Sequence, residues 1–189
     1  GNFEEALKEC HIVRTDTFTN KRQDGGFLEP QACLAQFDLN GNLTLWSSTQ
    51  SVHYVQRSVA MVLGIPVGKV RVVKPYVGGG FGPKAAVNAM ELAACLMSRR
   101  AGKPVKMVFS REQVFLHSRA RHQFTHELTT GVKKDGTIFA LRNVCHLDGG
   151  AYSSFGIATI YYAGSLLGAP YKLPNMKYDG YRIYTNKPT

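Results

Sequence analysis

Apolar positions along this chain switch between two periods. Residues 32–39 and 43–47 alternate as half-buried strands do, and Asn40-Gly41-Asn42 between them is a hairpin turn. Val52, Val55, Val59, Val62 and Leu63 then recur at helical spacing. Ser48 or Thr49 is placed to cap that helix and Gly64 to stop it. A strand over 69–76 leads into a glycine-rich run. A second helix over 86–100 buries Met90, Ala93, Ala94 and Met97, with Gly102 and Pro104 beyond its end. Residues 105–109 read as strand, and Ser110-Arg111-Glu112 as a helix start. Two longer strands, 122–132 and 137–147, flank the turn Lys133-Lys134-Asp135-Gly136. Asp148-Gly149-Gly150 breaks the pattern as a turn, 153–167 is apolar and partly helical, and 178–184 is a last strand.

Strands and helices interleave, which predicts an α/β (α+β) fold with mixed sheets and flanking helices. Residues 1–26 are polar and weakly patterned. They read as a lead-in or linker with a short strand at 11–13, ahead of a main domain over 27–189.

The run Val77-Gly78-Gly79-Gly80-Phe81-Gly82-Pro83-Lys84 stands between a predicted strand and a predicted helix. Glycines there let backbone press against a ligand, and a helix behind the loop would offer its first N–H groups to an anion. No common nucleotide motif fits. A Walker loop needs glycine before the lysine and Ser or Thr after it, where Pro83 and Ala85 stand. A dinucleotide fingerprint puts Pro83 at its third glycine and lacks an acidic residue about 20 positions on. A glycine-rich structural turn is the alternative.

The 189 residues are 44% hydrophobic, enough for a real core, and no run approaches the length of a membrane span. Gly1-Asn2-Phe3-Glu4-Glu5 has none of the features of a signal peptide. Both ends look cut, so a fragment of a larger protein is expected. The formal net charge of +10 favours an anionic partner. The positive residues are scattered, however, and no nucleic-acid motif appears, so no nucleic-acid partner is expected. Cys10, Cys33, Cys95 and Cys145 are far apart, form no CxxC pair and read as free thiols of a reducing, cytoplasmic protein. His126-Glu127-Leu128-Thr129-Thr130 fails the zincin pattern at Thr130, and His117, His122 and His126 are not aimed together by their spacing. Gln50 alone reads as a polar residue near a helix cap.

Several elements nevertheless occur together in order. They are Phe27-Leu28-Glu29-Pro30, Ser48-Thr49-Gln50, Ile65-Pro66, Val70-Arg71-Val72, the glycine run to Lys84, Lys103-Pro104-Val105-Lys106, Arg111-Glu112, Arg121-His122, Asp148-Gly149-Gly150-Ala151-Tyr152 and Tyr184-Thr185-Asn186. From about Phe27 to its end the chain resembles the large, molybdenum-binding subunit of the xanthine dehydrogenase/aldehyde oxidase family. Within it, Gly149-Gly150-Ala151-Tyr152, Tyr162-Ala163-Gly164 and Arg182-Ile183-Tyr184-Thr185-Asn186 most resemble the 4-hydroxybenzoyl-CoA reductase branch.

The resemblance implies a molybdenum-pterin cofactor, molybdopterin or its cytosine dinucleotide. The backbone of Gly79, Gly80, Phe81 and Gly82 would pack against it. The Gln50 amide would stand near an oxygen ligand of the metal and the Phe81 peptide near the metal centre. It implies an oxidoreductase acting on an aromatic or heteroaromatic substrate, 4-hydroxybenzoyl-CoA among them. The alternatives are a xanthine-, aldehyde- or nicotinate-type dehydrogenase of the same family, or a non-catalytic anion-binding module. The family's catalytic Glu is expected outside this chain, with iron–sulfur clusters and FAD on other subunits or regions of an oligomeric enzyme. Ala85 and Ala86 stand where many relatives carry a substrate-touching Glu, and Pro83 stands where glycine or alanine is usual.

Overall fold

The computed structural model describes residues 1–152 and 154–188; Ser153, expected to open an apolar stretch, and Thr189 lie outside the described residues. In chain order the elements are α1 (Phe3–Lys8), β1 (Ile12–Asn20), β2 (Gln23–Asp24), β3 (Ala32–Phe37), β4 (Leu43–Ser47), α2 (Val52–Leu63), β5 (Val70–Val73) and α3 (Ala89–Ala101). Then come β6 (Val105–Val108), α4 (Arg111–His117), β7 (Ala120–Arg121), β8 (Phe124–Val132), β9 (Ile138–Asp148), α5 (Gly156–Ser165) and β10 (Asn175–Ile183). The mixed α/β class expected from the interleaved pattern is the one observed. The chain divides into two compact units, Asp24–Ala120 and Gly1–Gln23 with Arg121–Thr189, where the sequence suggested one domain over 27–189.

The 24–120 unit is built on a four-stranded sheet in the order β5-β4-β3-β6. The Asn40-Gly41-Asn42 hairpin pairs β3 and β4 antiparallel, with Cys33 opposite Ser47. After β4 the chain crosses through α2 and returns as β5, parallel to β4 from Leu43↔Val70 to Trp46↔Val73. β6 lies antiparallel on the other side of β3, with Ala32 opposite Val108. Leu43, Leu45, Val55, Val59, Ala94 and Cys95 fill the core between sheet and helices. Each leucine or valine among them contributes roughly 1.5–3 kcal/mol by leaving water. Burial pushes the Cys33 and Cys95 thiols up to about 12, and all four cysteines are free.

Two starts differ from expectation. α2 begins after Ser51, whose side chain makes no cap bond. Ser48 and Thr49 are buried and bond elsewhere: Ser48 Oγ accepts from Ala32 N and Thr49 Oγ1 from Ser51 N. The second helix does not start directly behind the glycine run. Pro83–Ala85 forms a single 3-10 turn, and α3 begins at Ala89 with Asn88 and Glu91 as a reciprocal capping box. That box satisfies the helix N-terminus itself, so α3 does not supply the loop with free N–H groups.

In the other unit the sheet runs β1-β8-β9-β10. β1 and β9 flank β8 antiparallel, and β10 joins β9 parallel after α5. α5 packs Ile160 and Ala163 against Phe124, Cys145 and Leu147. The N-terminal segment, expected as a lead-in, carries α1 and a nine-residue strand paired with β8 throughout from Ile12↔Val132 to Asn20↔Phe124. β1 is an edge strand that is mostly exposed, so its Thr-Asp-Thr stretch shows no apolar alternation for the eye to catch.

Candidate cofactor-binding site

Strand direction brings four segments to one edge of the 24–120 sheet. Parallel β4 and β5 both end there, so Ser48–Ser51 and the glycine run leave the sheet side by side. Antiparallel β3 starts there and β6 ends there, adding residues 27–31 and 109–111. The carboxyl ends of parallel strands are where open α/β sheets present their ligand loops.

The segments are tied together by named bonds. Gln50 N donates to Lys84 O at 2.9 Å, and Thr49 Oγ1 to the same carbonyl at 3.1 Å. Gly82 N donates to Gln50 Oε1 at 3.0 Å. Because a backbone N–H can only donate, this bond fixes the orientation of the amide: the oxygen faces the loop, and the Nε2 donor is left for something else. The Gln50 side chain is therefore no helix cap. Gly80 lies flat against it. A Cβ at Gly80 would stand 2.5 Å from Gln50 Oε1 and 2.7 Å from its Cδ.

The loop backbone is unusual where it is most exposed. Phe81 has φ 51°, between Gly79 at 95° and Gly82 at 103°. A non-glycine residue held there costs about 1–3 kcal/mol and clusters at functional sites. Phe81 is 75% exposed, so its packing does not compel that conformation. Among the described residues, the amides of Gly79, Gly80 and Phe81 form no hydrogen bond. Successive N–H groups in such a turn form a concavity for an electron-rich atom.

Beneath the loop stand residues for which no role was expected. Glu29 Oε2 accepts from Gly78 N at 2.8 Å and from Lys84 Nζ at 2.7 Å. The Lys84 ammonium also lies 4.8 Å from the centre of the fully buried Phe27 ring. Arg111 donates to Leu28 O at 2.6 Å. The Phe27-Leu28-Glu29 element, the Lys84 end of the glycine run and Arg111 therefore form one cluster. A lysine that fails the Walker pattern was the available hint that it serves something other than a phosphate.

Gln50 and the 79–82 backbone, the residues expected at a cofactor, come together. The donors are amides without formal charge, which suits a metal that brings its own ligands. Among the described residues no group of three or more His, Cys, Asp or Glu could hold a bare ion. His117 packs against Phe109 and His126 against Phe124 and Asn143. Asp148 accepts from Gly150 N, as a turn residue would, and from Thr185 Oγ1 just beyond β10. Ala86 is buried, and no carboxylate occupies positions 85 and 86.

Comparison with known proteins identifies the family. Residues 1–189 match the molybdopterin cofactor-binding domain family. The chain is 39% identical over its whole length to the nicotinate dehydrogenase large molybdopterin subunit of Eubacterium barkeri, spanning 44% of that protein. It is 39% identical over 86% of its length to a putative xanthine dehydrogenase molybdenum-binding subunit of Escherichia coli K12, spanning 22% of it. The structure superposes on quinoline 2-oxidoreductase from Pseudomonas putida 86 with a TM-score of 0.89 at 30% identity, covering 98% of this chain and 24% of that one. The chain thus spans less than half the length of these relatives. It belongs to the molybdopterin cofactor-binding domain family of the xanthine dehydrogenase, aldehyde oxidase and carbon monoxide dehydrogenase type of molybdenum enzyme.

Proposed function

We propose that this chain is the platform for a molybdenum-pterin cofactor in the catalytic subunit of an oxidoreductase acting on an aromatic, N-heteroaromatic substrate. The observation that carries the reading is the Gln50 amide, its oxygen held by Gly82 N–H so that the Nε2 donor remains unused, beside three amides with no partner among the described residues. Once bound, the cofactor supplies the redox and oxygen-transfer chemistry. The chain's own residues position it. The amides of Gly79, Gly80 and Phe81 offer donors to the pterin and metal ligands. Gln50 Nε2 would stand toward the metal's surroundings as a donor that adds no charge, and the Phe81 backbone would lie beside the metal centre. The acid–base Glu comes from outside this chain. Electron carriers, iron–sulfur clusters and FAD, would lie on other subunits or regions of an oligomeric cytoplasmic enzyme.

Two relatives, named for nicotinate and quinoline, support a heteroaromatic substrate. Ala85 and Ala86 leave no carboxylate there to grip a purine. The net charge of +10 supports an anionic substrate and keeps a second reading in play, reductive dehydroxylation of a CoA thioester such as 4-hydroxybenzoyl-CoA. A panel of a pyridine carboxylate, an aldehyde, xanthine and 4-hydroxybenzoyl-CoA on the full-length enzyme separates these. Turnover of the pyridine carboxylate is the expected result, and turnover of xanthine alone defeats both readings. Gln50→Ala is expected to lower kcat on the order of 100-fold while the fold is retained. An unchanged rate removes Gln50 from the metal's surroundings.

A further inference from the structure

One carboxylate oxygen closes the glycine loop at both ends. Glu29 Oε2 takes Gly78 N–H at the start of the run and the Lys84 ammonium at its end. The two partners are unequally placed: the Lys84 side chain is fully buried, whereas that of Glu29 is 32% exposed. Lys84 therefore cannot reach out to a ligand. Its charge acts inward, on Glu29 and on the Phe27 ring. Between the two tied ends lie the three unpartnered amides and the contact with Gln50.

We propose that Glu29 and Lys84 are positioning residues. Their ion pair fixes the ends of the loop so that the amides of 79–81 and Gln50 Nε2 stand ready before the cofactor arrives. The inference rests on the cofactor reading above. Donors fixed in advance need no reorganisation when the ligand binds, which is where electrostatic sites gain most.

The unequal burial gives the proposal a signature that an ordinary stabilising pair lacks. Glu29→Gln keeps an oxygen for Gly78 N–H and removes only the charge, stranding a buried ammonium. Lys84→Met leaves a carboxylate that still reaches water. Losing one partner of a buried pair is far worse than losing both. E29Q is thus the damaging change, K84M the milder one, and E29Q/K84M restores much of what E29Q loses.

The test uses the full-length enzyme and its three variants. Hydrogen exchange is followed in the peptide covering 78–84, with and without cofactor, alongside the rate of cofactor loss and the electron paramagnetic resonance spectrum of the reduced metal. For E29Q, loop exchange and cofactor loss are expected to rise at least roughly tenfold, with the double variant within about threefold of wild type. The resonance spectrum shifts in E29Q and returns in the double variant, a rescue that general destabilisation does not produce. A double variant as impaired as E29Q, or an E29Q indistinguishable from wild type, overturns the proposal. If E29Q does not accumulate, a double variant that folds and exchanges like wild type supports it, and one that exchanges faster than K84M overturns it. If the wild type carries no molybdenum, the cofactor reading fails, while the cofactor-free exchange pattern still decides the role of the pair.

Discussion

The molecule has two glycine loops that read alike as sequence and behave differently as structure. In Asp148-Gly149-Gly150-Ala151 every amide after the aspartate is used. Gly149 N donates to Ile183 O at 2.8 Å, Gly150 N to Asp148 Oδ1 at 3.2 Å and Ala151 N to Lys187 O at 3.0 Å. In Gly79-Gly80-Phe81 none is used, and the bonds that hold the loop sit at its ends, Gly78 and Gly82. The first loop closes a structure on itself. The second leaves these three amides unused and is tied only at its ends. The glycines differ in purpose too. Gly149 makes room for its own unit, since a Cβ there would stand 2.8 Å from Arg182 Cγ and 3.1 Å from Ile183 O. Gly80 makes room for Gln50.

Alanine at each glycine should separate the two roles. Gly80→Ala drives a Cβ into the far end of a side chain that can swing away, so the fold loses under about 1 kcal/mol. The swing breaks the Gly82–Gln50 bond, and activity of the full-length enzyme falls roughly 100-fold, as small misplacements of site groups do. Gly149→Ala meets backbone and costs about 1–3 kcal/mol of stability, with cofactor content retained in the folded fraction. Thermal unfolding and turnover measured on the same preparations check both. The reversed pattern would dissolve the distinction.

Much of this contrast was legible beforehand, and some was not. Helical spacing and Gly64 located α2, and the turn at 40–42 located β3 and β4. The Gln50 and glycine-run positions came from motif order. That they lie at one sheet edge followed only once the parallel pairing of β4 with β5 was known, because register is a non-local property. α3 starts at Ala89 and not at 86, because Asn88 and Glu91 form the cap that decides where the helix begins. β1 was underestimated because its bonding lies with β8, more than 100 residues away. The Glu29–Lys84 pair, 55 residues apart, leaves no periodic trace at all.

A smaller effect contrasts one carboxyl from each unit. Hydrogen bonding to Thr185 Oγ1, then to Gly150 N and Lys187, holds the Asp148 carboxyl below its usual range. Its contribution is present above the unfolded value of about 3.9 and is lost as pH falls through the lower folded value. Burial pushes the Glu91 carboxyl up, against the hydrogen bonds from Ser47 and Asn88. Its favourable state is the neutral one, present below the unfolded value of about 4.3 and lost as pH rises through the raised folded value. Asp148→Asn should therefore cost about 1–2 kcal/mol near neutrality and less in acid. Glu91→Gln should gain on wild type as pH rises from about 4 toward neutrality, by under about 1 kcal/mol. Unfolding of the variants from about pH 2 to neutrality reads both slopes, Asp148→Asn below about pH 4 and Glu91→Gln above it, and equal signs would contradict the assignment.

The central claim is that the 79–81 amides and the Gln50 Nε2 donor face a pterin-held metal. It is tested most directly by measuring molybdenum and pterin in the purified, fully assembled wild-type enzyme and in Gly80→Ala. Equimolar molybdenum and pterin in the wild type, with a marked loss in the variant, is the predicted result. Neither component in assembled wild-type protein, or full retention of both with unaltered activity in the variant, would contradict it.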